Sequence, residues 1–249
     1  MENRIIRFAD HFVNFLIILC FLPLLLFGIY AVWDSEQIYK QADSTVYETY
    51  KPASEDNLSF EELKKINPEV FGWLQVDQTH IDYPILQSED NSKYVNTDVK
   101  GAFSLSGSIF LDCKNSRDFS DMNNILYGHQ MEKHKMFGDL KNFLEKSYFD
   151  THTSGSVYYE SQWHGIEFFA LLCVDAYDDV VYNTGLKGND DQEVYLSYVK
   201  SHASYFRELD FQANEHFIAL STCSNVNTNE RYVLIGRITE RSVGKAAVQ

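Results

Sequence analysis

A cysteine and an arginine flank a short polar loop near the end of the sequence, and their types suggest nucleophilic chemistry. Cys223 follows the apolar run "HFIALST", and Arg231 begins the run "RYVLIG" eight residues later. This pattern predicts a strand–loop–strand unit that holds both side chains at one end of a sheet. A guanidinium near a sulfur favours the thiolate, the nucleophilic form of cysteine. It can also stabilise the oxyanion that forms when a thiolate attacks a carbonyl group.

A cysteine nucleophile needs an acid–base partner, and His129 is the best placed of the eight histidines. It follows "NNILYG", so a predicted strand ends in a glycine and delivers the imidazole at its tip. From there it can face a cysteine at the end of another strand. The remaining histidines fall near the N-terminal apolar segment, in turns, on helix faces or at strand starts. The sequence therefore predicts a Cys223–His129 pair supported by Arg231.

Metal-ligand spacing is absent from the sequence. His129 and His134 in "HQMEKH" are five residues apart, which is not the i, i+4 spacing that points two imidazoles at one zinc ion on a helix. No Cys-x-x-Cys motif occurs. We therefore expect no metal and no cofactor.

Three further cysteines are present. Cys20 lies within the N-terminal apolar segment and is expected to be a small apolar residue there. Cys113 and Cys173 are either inert core thiols or a disulfide pair, and the spacing leaves both possibilities open.

The elements that position the chemistry are short β-like runs, which begin at Phe71. They are "GWLQV", "IDYPIL", "GSIFLD", "NNILYG", "SVYYE", "EFFALLCVDAY", "HFIALST" and "RYVLIGRI". Eight such runs predict a mainly β fold, a closed or nearly closed β-barrel without exposed sheet edges. Two segments with helical periodicity, 136–146 and 191–207, are expected to form amphipathic helices that cover the barrel.

The N-terminus contains a predicted transmembrane helix. Residues 15–33 are free of charged side chains and long enough to span about 30 Å of hydrocarbon. Arg4 and Arg7 precede this run, whereas Asp34 and Glu36 follow it. The positive-inside bias places the N-terminus in the cytoplasm and the rest of the chain outside the cell. The run is longer than a signal-peptide core and ends in "YAVWDS", a poor cleavage site, so we expect a retained anchor.

Composition sets the domain plan. The chain has 249 residues, of which 45% are hydrophobic, enough for one packed domain and an appendage. We expect a cytoplasmic tip and anchor at 1–33, a juxtamembrane stalk at 34–57, an extracellular catalytic domain at 58–241 and a flexible tail at 242–249. A net charge of -15, without any long run of Lys or Arg, argues against a nucleic-acid partner.

These motifs, in this order, resemble the sortases of Gram-positive bacteria. "LSTC" is followed by Arg231, "YGH" precedes it by about 95 residues, and an N-terminal anchor is present. The stretches "INPEVFGWLQVDQTHIDYPILQ", "GSIFLD" and "NNILYGHQMEKHKMFGDL" are similar to class B. The resemblance covers residues 66–238. It implies a sortase β-barrel with a long helix before the last strands, a cysteine transpeptidase activity and the triad His129, Cys223 and Arg231.

The resemblance also assigns roles. Cys223 would attack the threonine carbonyl of a sorting signal of the Asn-Pro-x-Thr or Leu-Pro-x-Thr-Gly type, and His129 would move the protons. Arg231 would hold the substrate backbone or the oxyanion. The resemblance implies a substrate groove lined by Tyr127, Ser221, Thr222, Asn91, Val95, Val181 and Tyr182.

Several functions remain open at this point. The leading hypothesis takes a peptidoglycan amine as the acceptor, which would anchor a surface protein to the cell wall. The alternative takes a lysine amine, which would polymerise a pilin. A papain-type protease fits less well, because the histidine precedes the cysteine and no "CGSCW"-like signature exists. The non-enzymatic alternative is a membrane-anchored binding module in which Cys223 is inert.

Overall fold

The structure is a computed structural model that describes residues 2–52, 58–223 and 229–240, with Cys223 described by its backbone alone. The expected tail at 242–249 lies outside these residues. The chain divides into two compact units, Met1–Lys40 and Gln41–Gln249.

The described part of the first unit is helical throughout and belongs to α1 (Glu2–Gln41), which contains the predicted apolar run. By length and composition, α1 is the one helix of the described residues that is apolar and long enough to cross a membrane. Its 40 residues correspond to about 60 Å of helix. The helix therefore continues past Trp33, where the stalk was expected to begin.

Much of the expected stalk is folded instead. A 3₁₀ helix, Ser44–Tyr50, follows α1, and the Asp43 side chain caps it by accepting a hydrogen bond from the Thr45 amide at 3.1 Å. Ala42 and Tyr47 are buried in the same core as the barrel strands. The apolar burial of these two side chains explains why this polar-looking segment joins the second unit.

Nine strands and three further α-helices build the second unit. The helices are α2 (Leu58–Ile66), α3 (Lys146–Thr151) and α4 (Gly188–His202). The strands are β1 (Val70–Val76), β2 (Asp82–Leu86), β3 (Ile109–Leu111), β4 (Asn123–Tyr127), β5 (Ser154–Tyr159), β6 (Gln162–Asp175), β7 (Ala203–Phe206), β8 (Phe217–Cys223) and β9 (Glu230–Thr239).

Eight of these strands close into a barrel, as predicted. The order is β5-β1-β2-β3-β4-β8-β9-β6, and pairing between β5 and β6 completes the ring. The ninth strand, β7, pairs with residues 170–172 of β6. Closure pairs the backbone groups that would otherwise form exposed edges.

Both predicted covering helices differ from expectation at their ends. The first segment is a 3₁₀ helix, Gly138–Leu144, and α3 starts only after Glu145. The second forms α4 but ends at His202, because the next residues pair with β6 as β7. Helical periodicity did not reveal that Tyr205 lies opposite Leu171 in a strand ladder.

The core has two layers, and β8 separates them. Ile218 and Leu220 belong to the larger cluster, with β1 and β2, whereas Phe217 and Ala219 belong to a second cluster with Tyr195 of α4. Successive strand residues point to opposite faces, so both faces of β8 are covered. This explains why β8 is continuously apolar up to the site.

Candidate active site

The directions of three strands bring the predicted chemical residues to one end of the barrel. β4 and β8 are parallel, with Tyr127 opposite Ser221, so both strands end on the same side. β9 runs antiparallel to β8 and begins there, with Arg231 opposite Cys223 in register. His129 follows β4 by two residues. The backbones of all three predicted triad residues therefore lie at one end of adjacent strands.

A cavity of about 350 Å³ opens at this end of the barrel. Most of the predicted site residues line it: Asn91, Val95, Tyr127, His129, Tyr182, Ser221, Thr222 and Arg231. The walls also include residues that the sequence did not indicate, namely Ser108, Phe110, Gly128 and Ala176. The Cys223 side chain lies outside the described part of the structure.

His129 is held by a backbone carbonyl. Its Nε2 lies 2.7 Å from the carbonyl oxygen of Val95. A carbonyl can only accept, so Nε2 carries the hydrogen and donates it. In the neutral ring this leaves Nδ1 as the nitrogen that can take up a proton.

Close packing behind His129 explains the glycine of "YGH". A Cβ on Gly128 would lie 2.4 Å from Ile109 Cδ1 and 2.8 Å from Phe137 Cδ2. Any side chain would therefore push the strand end away from its neighbours. The glycine lets β4 deliver His129 close against the 3₁₀ segment that follows.

Arg231 presents a half-buried guanidinium at the start of β9. Its Nη1 donates to the backbone carbonyl of Glu230 at 3.0 Å. Because Cys223 is its register partner, the guanidinium charge lies on the strand next to the cysteine backbone. This placement suits the stabilisation of negative charge that develops near the end of β8.

A buried carboxylate, Asp112, organises one wall of the cavity. Its Oδ2 accepts from Tyr127 Oη at 2.9 Å and from Asn91 Nδ2 at 2.8 Å. Asn91 Oδ1 in turn accepts from the Cys113 amide at 2.8 Å. Burial, followed by the charge of Asp112, raises the pKa of Tyr127, so its hydroxyl stays protonated and donates. Asp112 was not predicted as a site residue, although it ends the "GSIFLD" motif that carried the resemblance.

The lining next to Tyr127 contains a tyrosine and two small polar residues. Tyr182 Oη and Ser221 Oγ lie 2.8 Å apart, and the Tyr182 ring stacks on Tyr127 with centroids 6.4 Å apart. Thr222 Oγ1 is buried and has no hydrogen-bond partner among the described residues. A buried hydroxyl without a partner is uncommon.

Val181 does not line the cavity, which differs from its predicted role in the groove. It is fully buried in the second core cluster, and its amide donates to Asp178 Oδ1 at 2.8 Å. Its carbonyl accepts from Asn123 Nδ2 at 2.9 Å. The adjacent Tyr182 lines the cavity instead, so this segment contributes only one of the two predicted side chains.

Cys113 and Cys173 are free thiols, so the disulfide that the sequence left open is not formed. Cys173 lies on β6, opposite Tyr232 of β9, where burial raises the pKa of its thiol. A raised thiol pKa disfavours the thiolate, which supports the prediction that Cys173 is inert.

Comparisons with known proteins place these observations in a family. Residues 74–239 match the family model described as the sortase domain. The chain is 35% identical over 183 residues to sortase B of Listeria monocytogenes, covering 72% of this chain and 74% of that protein.

Solved structures give the same result. A class B sortase of Streptococcus pyogenes involved in pilus biogenesis is 39% identical, with a TM-score of 0.66, over 72% of this chain and 97% of the other. Sortase B from the type II pilus of Streptococcus pneumoniae is 40% identical, with a TM-score of 0.64, over 73% and 99%.

Proposed function

This chain belongs to the sortase family of cysteine transpeptidases, as its domain match and class B relatives show, and from that premise we propose that Cys223, His129 and Arg231 form its catalytic centre. The observation that carries the proposal is the register of β8 and β9. It sets Cys223 opposite Arg231 beside the cavity that His129 lines.

The first half-reaction would be acyl transfer to sulfur. The Cys223 thiolate attacks the threonine carbonyl of a sorting signal and forms a tetrahedral oxyanion. Collapse of this intermediate breaks the peptide bond, leaves a thioester on Cys223 and expels the amine of the next residue. The leaving amine takes its proton from the His129 imidazolium.

In the second half-reaction, an acceptor amine attacks the thioester carbonyl. The amine loses a proton to neutral His129, and the Cys223 thiolate leaves. The new amide joins the donor protein to the acceptor, and the starting protonation states are restored. Because Val95 occupies Nε2, both proton transfers would use Nδ1 of His129.

Arg231 would stabilise the oxyanion or hold the substrate backbone. Its planar guanidinium offers several N–H donors in a fixed arrangement, and it begins the strand that pairs with the end of β8. A stationary charge in a cavity stabilises a developing oxyanion more strongly than water does, since it needs no reorganisation.

We expect the cavity to accept an extended peptide. Val95, Phe110 and Tyr182 supply apolar and aromatic wall surface, while Ser221 and Thr222 supply hydroxyls. This mixture supports an Asn-Pro-x-Thr or Leu-Pro-x-Thr-Gly type of sorting signal.

Two acceptors are compatible with this chemistry. A peptidoglycan amine would make the enzyme an anchor of surface proteins to the cell wall. A pilin lysine would make it a pilus polymerase, and this second candidate is favoured by similarity. The two pilus-associated structures are 39% and 40% identical to this chain.

Sortases are membrane-associated surface enzymes, and α1 would provide the anchor. We place its N-terminus in the cytoplasm and the barrel outside, because Arg4 and Arg7 precede the apolar run. Donor and acceptor would be held at the same membrane surface. Tethering would therefore raise their effective concentration near the cavity.

A ligation assay tests both the chemistry and the acceptor. The full-length chain in detergent would be mixed with each signal peptide and either a peptide bearing a cell-wall cross-bridge amine or one bearing a lysine amine. We expect ligated product after threonine, with one acceptor preferred by at least about tenfold. Hydrolysis at the same rate with or without acceptor would support a protease instead, and intact peptides throughout would contradict the proposal.

A further inference from the structure

Three side chains with metal-binding chemistry converge outside the catalytic cavity. They are His80, in the turn between β1 and β2, His134, in the segment that follows β4, and Asp139, in the 3₁₀ helix Gly138–Leu144. One ligand atom of each lies within 4.8 Å of the other two. Residues from three separate segments thus meet at one point on the surface.

The Asp139 carboxylate is buried and is held in place by hydrogen bonds from the protein. Only 1% of the Asp139 side chain is exposed. Its Oδ2 accepts from the His80 backbone amide at 2.8 Å, and its Oδ1 accepts from Asn142 Nδ2 at 3.1 Å. Such outer contacts fix a carboxylate in the orientation that a bound ion needs.

The two imidazoles approach this carboxylate from the solvent side. His80 Nδ1 lies 3.0 Å from Asp139 Oδ2, and His134 Nδ1 makes a hydrogen bond with Oδ1. The rings stack, with centroids 4.8 Å apart and planes 26° apart. The side chains remain 62% and 53% exposed, so an ion can enter from solvent and keep a water ligand.

We propose that His80, His134 and Asp139 bind one divalent transition-metal ion, with Zn²⁺ as the expected species. Two imidazoles and one carboxylate are a common three-ligand set for zinc, and water fills the fourth position. Binding replaces the Nδ1 hydrogen bonds with metal bonds and releases any Nδ1 protons. Ca²⁺ and Mg²⁺ prefer oxygen ligands, so they should bind poorly here.

Backbone conformation supports a special role for the His134 segment. Lys133 and His134 have φ angles of 58° and 60°, in the left-handed region that few non-glycine residues occupy. Such conformations persist where surrounding contacts impose them, and they concentrate at functional sites. His134, the second of these residues, is the one that contacts Asp139.

A bound ion would also stabilise the segment that carries His129. The amide of Phe137 donates to the His129 carbonyl at 2.9 Å, and Gln130 forms a bridge with Met136. Because His80 lies in the β1–β2 turn, a zinc ion bound to both His80 and His134 would link the segment 129–137 to that turn.

Isothermal titration of Zn²⁺ into the full-length chain in detergent tests the site. The Cys223→Ala background removes the proposed catalytic thiol as a competing ligand. We expect one equivalent bound per chain, and an affinity at least about tenfold weaker in His80→Gln and in His134→Gln. The matched control is His202→Gln, because His202 is also exposed but belongs to α4; its affinity should match the background.

Two further readouts keep the test decisive if a variant folds poorly. Co²⁺ bound to the Cys223→Ala chain should show ligand-field absorption of a four- or five-coordinate ion without a sulfur charge-transfer band. Hydrogen exchange in residues 129–138 should slow on Zn²⁺ addition in this chain but not in its His134→Gln form. Absence of 1:1 binding, or equal affinity in all folded variants, would show that the three residues are only a hydrogen-bonded cluster.

Discussion

His129 and His134 are five residues apart, yet they lie in different chemical surroundings. His129 donates through Nε2 to a backbone carbonyl and borders a cavity that also contains Arg231. His134 bonds through Nδ1 to the buried carboxylate of Asp139. The first histidine keeps a nitrogen for proton transfer, whereas the second belongs to a set of metal-type ligands.

On the two proposals above, the hydrogen-bond partner rather than the residue type sets the role of each imidazole. A neutral carbonyl fixes the tautomer of His129 without adding charge. A carboxylate beside His134 adds a negative charge that can attract a cation. Variants that separate these two roles therefore test the comparison.

The largest effect is expected from His129→Gln, which removes the proposed acid–base group. We expect ligation to fall by about 10²–10⁴-fold in kcat, while Zn²⁺ affinity, measured in the Cys223→Ala background, changes by less than about twofold. Rates of peptide ligation and isothermal titration would measure the two quantities. If His129→Gln weakened zinc binding as strongly as His134→Gln does, the proposed separation of the two roles would be wrong.

Arg231→Lys tests the proposed role of the Arg231 guanidinium in catalysis. The variant keeps a positive charge but loses the planar array of donors, so kcat/KM should fall by about 10²-fold. Arg237→Lys is the matched control on the same strand, since Arg237 pairs with Glu167 and Glu215 away from the cavity. Equal losses in both variants would assign the effect to β9 stability rather than to the oxyanion.

Asp139→Ala tests how much the buried carboxylate of the His80–His134–Asp139 cluster contributes to stability. Removing the buried carboxylate leaves the His80 amide and Asn142 without their acceptor, so the free energy of unfolding should fall by about 2–4 kcal/mol. Urea unfolding in the presence of a chelator, followed by tryptophan fluorescence, measures this loss.

Its control is Asp150→Ala, which removes an exposed ion pair with Lys146. That pair should contribute less than about 0.5 kcal/mol. A similar small loss for Asp139→Ala would mean that its carboxylate does not organise the cluster.

The smallest effect is expected from Tyr182→Phe. The variant keeps the ring that stacks on Tyr127 but removes the hydrogen bond to Ser221. We expect KM for the signal peptide to rise by about fivefold with kcat nearly constant, which corresponds to the loss of one neutral hydrogen bond. Tyr205→Phe, which removes a bond to the Leu144 carbonyl, should leave KM unaltered; an equal rise there would contradict the assignment.

The barrel and the positions of His129 and Arg231 could be predicted from local patterns, whereas the other predicted lining residues of the cavity came from the resemblance to the sortases. Apolar runs bounded by turn residues indicated the strands, and parallel pairing of β4 and β8 then brought their ends together. The ends of paired strands place their side chains at a common edge of the sheet, and this placement does not depend on the conformation of the loops. His129 and Arg231 were therefore accessible to sequence reasoning.

The His80–Asp139 contact was not accessible, because its partners are 59 residues apart and lie in a turn and a 3₁₀ helix. No periodicity relates such positions. The search for metal-ligand motifs paired His134 with His129, which is close in sequence. It could not pair His134 with His80, which is close only in the folded structure. Asp112 was missed for a related reason, since its role depends on hydrogen bonds from two other segments.

The most direct test of the catalytic centre is the intact mass of the full-length chain mixed with a sorting-signal peptide. The account predicts an added mass equal to the peptide fragment that ends in threonine, attached at Cys223. The adduct should be absent in Cys223→Ala and retained in Cys173→Ala. An adduct that persists in Cys223→Ala, or peptide cleavage at an undiminished rate in that variant, would contradict the assignment of the nucleophile.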